Sequence, residues 1–293
     1  MKTMTNMMAA IRGLAAAFVL VLGAGLFSAT AAAQDVVKPL KAGRLAVSFA
    51  YQFELLDAAL QRSVSKYGPY KEEPYLETMS AGRDQIEGPR GEFINLLIAN
   101  VGIAALDDGM IHVPVPLDRG LLGTRISFIR ADKQAELDKV KTLDDLRRFN
   151  LGQGEGWGDV KILQHNGLTV ETAPDYLSLL EMLGKGRFAL FPRGATEVTA
   201  EFQTYREKHP EMAVDQHLVI RYPNPQYFYV AKNAPRLAER IEFGLKAMLA
   251  DGSFDAIYNK HFAAALAELK IDQRTVIEIE NPFLPEWAKS PAN

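Results

Sequence analysis

The run RISFIRADKQAELDKVKTLDDLRRFNLGQGEGWGDV, residues 125–160, decides the fold class. Its first six residues, Arg125 to Arg130 (RISFIR), read as a strand. After a charged linker, Thr142-Leu143-Asp144-Asp145-Leu146 opens a short helix, with Thr142 as N-cap and Asp145 in the capping-box position. Asn150 to Gln153 reads as a strand end, Gly154 to Asp159 as a glycine-rich turn, and Val160 to Asn166 as a helix. A strand that passes through glycines into a helix is the unit of α/β architecture.

The alternation extends in both directions. Upstream, Arg44 to Phe49 reads as a strand and Phe53 to Ser65 as a helix striped by Leu55, Leu56, Ala59, Leu60 and Val64. Tyr67 to Pro74 reads as a loop, Tyr75 to Met79 as a strand and Ser80 to Arg83 as a strand-to-helix turn. Asn95 to Ala99 reads as a strand, and Ile111 to Pro116 as extended chain. Downstream, Thr169 and Val170 begin a strand, and Tyr176 to Leu183 form an amphipathic helix ending at Gly184. Phe188 to Phe191 reads as a buried strand and Thr196 to Lys208 as a helix. His217 to Ile220 and Tyr227 to Ala231 are strands, and Leu237 to Leu249 is a helix closed by Gly252. Two such series predict an α/β chain with mostly parallel sheets.

The first 33 residues read as a cleaved signal peptide. Lys2 and Arg12 supply a positive start, Gly13 to Ala29 carry no charge, and Ala31-Ala32-Ala33 offer small residues at a cleavage point near Ala33. Their removal takes away two basic residues and leaves 31 basic against 36 acidic, a balance of −5. That mixed, mildly acidic surface speaks against nucleic-acid binding, which needs a basic footprint. The chain has no Cys, so it has neither disulfides nor a lipid-bearing Cys. The expectation is a soluble, monomeric periplasmic protein.

The order of RISFIR, TLDDL and the glycine-rich turn resembles bacterial extracellular solute-binding protein family 3. Leu183-Gly184-Lys185-Gly186-Arg187-Phe188-Ala189-Leu190-Phe191 is similar to the family's helix, Gly-Lys and short-strand step. Tyr229-Val230-Ala231-Lys232, Ile241-Glu242-Phe243-Gly244-Leu245 and Leu249-Ala250-Asp251-Gly252-Ser253 resemble its closing elements. Leu117 to Gly123, Gly152 to Trp157 and Phe191 to Gly194 look like a branch not obviously specific for amino acids. The resemblance spans Arg44 to Phe262 and implies a two-lobed periplasmic binding protein type II fold with two hinge crossover strands. Lobe one would be residues 34–126 plus 231–293 and lobe two 131–225, with hinge strands at about 125–130 and 227–231.

Ligands in such sheets sit beyond the strands' carboxyl ends, near helix N-termini. Gln153, Gly154 and Trp157 are candidates there, with Trp157 either stacking on a solute or packing on its own lobe. Arg193 suits an anion or forms a structural pair with Glu197. Tyr51 and Phe53 form aromatic walls or ordinary core. Ser80 and Arg83 either contact a ligand or serve as an N-cap and a solvated side chain. Arg119 lies near the hinge, and Arg125 is able to pair with a carboxylate across the crossing strands. The resemblance also implies an arginine near Asn100 and an aspartate near Phe191 in amino-acid-binding relatives. Asp107-Asp108 and Arg193 stand there instead, which leans towards an anionic or aromatic solute.

The function expected is a solute receptor that closes on its ligand and presents it to a membrane transporter (an ABC permease) or to a sensor. An enzyme on the same fold, similar to cyclohexadienyl dehydratases, would need an acid such as Glu155 or Glu197. A third possibility is an interaction factor whose cleft has lost its ligand. His112, His165, His209, His217 and His261 are scattered, so neither a metal nor another cofactor is expected. The sequence assigns no purpose to the tail from Ile271 to Asn293.

Overall fold

A computed structural model describes residues 34–42 and 49–289. The signal-peptide reading and nearly all of the Arg44 to Phe49 strand lie outside the described residues. The elements in order are β1 (Asp35–Val37), α1 (Ala50–Tyr67), β2 (Tyr70–Glu72), α2 (Ala81–Arg90), β3 (Leu96–Asn100), α3 (Ala104–Asp107) and β4 (Met110–His112). Then come β5 (Thr124–Arg130), α4 (Gln134–Leu137), α5 (Leu143–Leu146), β6 (Asn150–Gly154), α6 (Gly158–His165), β7 (Thr169–Ala173), α7 (Tyr176–Gly184) and β8 (Phe191–Gly194). The chain closes with α8 (Val198–Tyr205), β9 (Met212–Val214), β10 (Leu218–Arg221), β11 (Gln226–Ala231), α9 (Pro235–Asp251), α10 (Ser253–Leu269) and β12 (Thr275–Glu278).

The fold is α/β and two-lobed. In the first lobe β11 lies between β3 and β4, and α1 packs on α9 over Leu56, Ala59, Leu60, Ile241 and Leu245. In the second lobe the sheet runs β12-β10-β5-β8, with β9 also on β5, while β6 and β7 pair beside it through the Leu151 to Leu190 bridge. Its core holds Ile126, Phe128, Leu179, Leu183 and Phe191 on one side. Ile129, Leu146, Leu163, Leu190 and Ile220 fill the other. Thr142 caps α5 as its spacing predicts: its side chain accepts from the Asp145 N–H, and Asp145 accepts from the Thr142 N–H.

Several sequence expectations shift. The sheets are not mostly parallel: β5 and β11 run antiparallel to every strand they pair with, and only the β1–β2, β6–β7 and β10–β12 pairs are parallel. Both strands enter from the other lobe, so no crossover helix has to hold them parallel. Tyr75 to Met79 makes only one bridge, Tyr75 to Leu40, and leaves Leu76 exposed, so it is not a strand. The strand read at Phe188 to Phe191 starts at Phe191 and runs to Gly194, because β5 offers partners from Phe128 back to Arg125. Thr275–Glu278, read as part of the first lobe, pairs with β10 in the second. The β10 edge is otherwise open, and Ile277 and Ile279 fit the core beneath it.

The strands read as hinges, 125–130 and 227–231, sit inside the two sheets. The passages between lobes fall just before them, at residues 113–123 and 222–225. These passages run side by side: the Leu117 N–H donates to the Gln226 carbonyl at 2.9 Å, and the Tyr222 N–H donates to the Gly123 carbonyl at 3.0 Å. Asp118 is buried between them. Its carboxylate accepts from the N–H groups of Leu122 at 2.7 Å, Gly120 at 3.3 Å and, across the crossing, Gln226 at 3.5 Å. Burial holds the Asp118 carboxyl above its usual range, and these N–H donors offset only part of that rise. Among the described residues no helix is long and apolar enough to cross a membrane.

Asp118→Ala strands these donors in a dry crossing. The expected loss of unfolding free energy is about 2 kcal/mol or more, read by chemical denaturation.

Candidate functional site

A cavity of about 210 Å³ opens between the lobes, beyond the carboxyl ends of β3 and β6. From the first lobe it is lined by Phe53 on α1, Asp84 and Gln85 on α2, Leu97 to Asn100 on β3, and Ile103 and Leu106 beyond. The second lobe contributes Leu122, Arg125, Gly156 to Asp159, Arg193 and Glu197, and Gln226 lines it at the crossing. The walls are therefore mostly aliphatic and aromatic, with polar groups concentrated on the second-lobe side.

Those polar groups form a paired network. Arg193, buried on β8, donates from Nε to Glu201 at 2.6 Å and from Nη2 to Glu201 at 2.9 Å, and stands 3.2 Å from Glu197. Its guanidinium also lies 5.0, 5.3 and 5.5 Å from the ring centres of Trp157, Phe191 and Tyr176. Arg125, equally buried, donates to the Tyr222 hydroxyl at 2.9 Å and to Asp159, and stands 3.6 Å from Glu197. The Tyr222 hydroxyl donates to Asp159, and Glu197 accepts from the Gly194 N–H at 2.9 Å. Burial of each guanidinium acts against its charge, and the facing carboxylates outweigh it, so both stay firmly protonated. Removing one partner from such a buried pair typically costs about 3–5 kcal/mol, far more than a surface ion pair is worth.

Asp84 faces the cavity from the opposite side. It sits in the first turn of α2 and has no side-chain partner among the described residues. Burial pushes its carboxyl up to about 7, slightly offset by a backbone N–H.

Of the residues singled out in the sequence, Phe53, Arg125, Trp157, Arg193 and Glu197 meet at the cavity. Tyr51, Ser80, Arg83, Arg119, Gln153 and Gly154 do not line it. The Tyr51 hydroxyl donates to the Leu117 carbonyl at 2.7 Å, and its ring packs edge-on against Tyr258 and Phe262 in the core. Ser80 caps α2 by accepting from the Arg83 N–H, and Arg83 is exposed. Arg119 is bonded to Asp255, lies 4.9 Å over the Tyr258 ring and is half-exposed. Gln153 is buried behind the site, donating to the Pro192 carbonyl at 3.1 Å and bracing β6 against β8. Gly154 ends β6 directly under the Trp157 ring, where any side chain would collide.

Sequence reasoning anticipated a carboxylate for Arg125 and Glu197 for Arg193, but missed Asp159, Glu201, Asp84 and Gln226. Asp159 follows Trp157 at a helix start, and Asp84 lies in the turn already marked by Ser80 and Arg83, so both carried a local signal. Glu201 stands eight residues from Arg193 across a strand-to-helix turn, beyond the reach of helical spacing rules. Glu155, a candidate acid, is exposed outside the cavity. Among the described residues no group of three His, Asp or Glu could hold a metal ion.

No protein-family model and no curated protein sequence matches the chain. Solved structures do match. An ancestral arginine-binding protein bound to arginine superposes with a TM-score of 0.53 at 17% identity, over 72% of this chain and 87% of its own. The periplasmic arginine-binding protein of Salmonella typhimurium gives 0.56 at 13%, over 78% and 99%. An amino acid ABC transporter substrate-binding protein of Streptococcus pneumoniae bound to L-arginine gives 0.54 at 14%, over 80% and 96%. At these identities the likeness establishes the two-lobed binding-protein fold of the chain.

The raised carboxyl of Asp84 has a consequence for stability. The folded protein holds this proton more tightly than the unfolded chain, so the contribution is complete below about pH 4 and is lost as pH rises towards about 7. Asp84→Asn removes that loss. Discounted for the partial exposure of Asp84, the variant should gain about 1–2 kcal/mol over wild type between pH 5 and pH 8 in denaturant titrations. An equal difference at both pH values would refute the assignment.

Proposed function

We propose that this chain is an extracytoplasmic, periplasmic solute-binding protein whose lobes close on a small solute and present it to a membrane transporter or sensor. The observation that carries this reading is the cavity walled from both sides, by Phe53 and Asp84 on one lobe and Trp157 and Arg193 on the other. Closure around the paired passages at 113–123 and 222–225 would be held by contacts that only a bridging solute makes to both lobes. In this reading the membrane partner recognises the closed form.

The chemistry of the walls supports a solute with an aromatic or aliphatic body. Phe53, Leu97, Ile98, Leu106, Leu122 and Trp157 give apolar surface, while Gln85, Asn100 and Gln226 can hydrogen-bond to it. An anionic group finds both cavity guanidiniums already engaged by Asp159, Glu197 and Glu201, so this wall disfavours an anionic solute. Asp84, opposite, tolerates a neutral or cationic group better than an anion.

A thermal-shift screen of aromatic, anionic and cationic metabolites should yield its stabilisers among the uncharged or cationic aromatics. Saturation at 100 times Kd raises stability by about 2.7 kcal/mol. Trp157→Ala and Phe53→Ala should each abolish the shift. A stabiliser whose effect survives both variants, or none from a broad library, would sink this reading.

The dehydratase-like alternative keeps one observation in its favour: Asp84, pushed up to about 7 in the cavity, is tuned for proton donation near neutrality. Turnover of prephenate-like acids that vanishes in Asp84→Asn would favour it over the receptor.

A further inference from the structure

We propose that the segment from Thr275 to Lys289 is a strap that ties the two lobes together across the hinge and limits how far the cleft opens. This deepens the solute-binding reading, since it concerns regulation of the same cleft. The strap is anchored first in the second lobe. Its strand β12 pairs with β10 from Thr275 to Glu278, and Ile277 and Ile279 are buried in that lobe's core. Asn166, at the end of α6, then clamps Glu280 on both sides: its side-chain N–H donates to the Glu280 carbonyl at 2.8 Å, and its side-chain oxygen accepts the Glu280 N–H at 3.1 Å.

Beyond Glu280 the chain crosses. Asn281 donates to the carbonyl of Pro223, a residue of the returning passage, at 2.8 Å. Phe283 sits between the lobes. On the second-lobe side the Lys161 ammonium lies 4.7 Å over its ring, and the His165 ring meets it edge-on at 6.1 Å. On the first-lobe side the backbone of Phe283 runs against Gly102, where a side chain on the glycine would stand 3.1 Å from the Phe283 carbonyl oxygen. Under this wedge Lys161 reaches from the second lobe to donate to the Gly102 carbonyl at 2.5 Å.

The far end is anchored in the first lobe. Leu284 and Ala288 pack on the cluster of Leu97, Val101, Leu106 and Tyr229, and Trp287 stacks flat on His112 with ring centres 3.7 Å apart. The strap therefore holds each lobe independently and cannot stay seated at both ends if the lobes separate widely. It also bears on the solute site: Asn100 and Ile103, flanking the Gly102 turn, line the cavity.

The test needs no solute. The chain has no native Cys, so the exposed Glu77 of the first lobe and Lys139 of the second can each be replaced by Cys and labelled as a fluorescence-transfer pair on the full chain. Phe283→Ala, which removes the wedge, and Lys161→Ala, which removes the direct bond, should each add a population of lower transfer and longer separation. Both side chains are partly exposed, so the two variants probe the strap with the lobes kept intact, as circular dichroism would verify. If Phe283→Ala loses its fold, Lys161→Ala decides alone. Transfer unchanged from wild type in the folded variants would overturn the strap. A failed solute screen with widened transfer would instead leave the strap standing and remove the receptor.

Discussion

Two of the chain's passages between the lobes run side by side, and Asp118 is what keeps that pair together. A carboxylate buried with no cation beside it is costly, and here it is compensated by backbone N–H groups drawn from both passages. The bonds from Leu117 to Gln226 and from Tyr222 to Gly123 then register one passage against the other. Everything in the cleft depends on that register. Gln226 is delivered to the cavity by one passage, Leu122 by the other, and β5 and β11 leave the crossing to become interior strands of their sheets. Two segments joined by a few hydrogen bonds bend more readily than either packed core, so the proposed closure would turn there.

Within the cleft the decisive effect is charge compensation. Two guanidiniums in one wall would by themselves make a strong anion site, yet Asp159, Glu197 and Glu201 come from the same lobe and meet them at bonding distance. Desolvation of so many charges is tolerable only because nearly every one has a partner, with Tyr222 and the Gly194 N–H completing the set. The network thus stiffens the floor of the site, and the apolar surfaces of Phe53, Leu97, Ile98 and Trp157 are left to meet a solute. Asp84 stands outside the network and is the cleft's one carboxyl, among the described residues, with no side-chain partner.

Local chemistry was legible in the sequence, and long-range pairing was not. The Thr142 and Asp145 capping box, the α1 stripe of Leu55, Leu56, Ala59 and Leu60 and the strand at Arg125 to Arg130 are written in neighbouring residues, and the structure forms them, with only Val64 of the stripe left exposed. Helix α2 was harder to read, because AGRDQIEGPR has few apolar residues and a proline, and tertiary packing of Glu87 and Gly88 holds it. The partnership of β12 with β10 joins residues more than fifty apart and no local pattern announces it. The same holds for the site: Phe53, Trp157 and Arg193 were found from their positions at element ends, whereas Glu201 became visible only once β8 and α8 were placed side by side. Tyr51 and Arg119 misled because an aromatic or an arginine near a strand end satisfies core packing and surface pairing equally well.

In the proposed receptor the lobes turn as two bodies about the Asp118 crossing and close on a solute held between Phe53 and Trp157. Small-angle X-ray scattering of the protein, alone and saturated with a thermally stabilising solute, reads that closure. The radius of gyration should fall on saturation, and the change should be lost in Trp157→Ala. A solute that binds through Trp157 while the radius of gyration stays constant would rule the closure out.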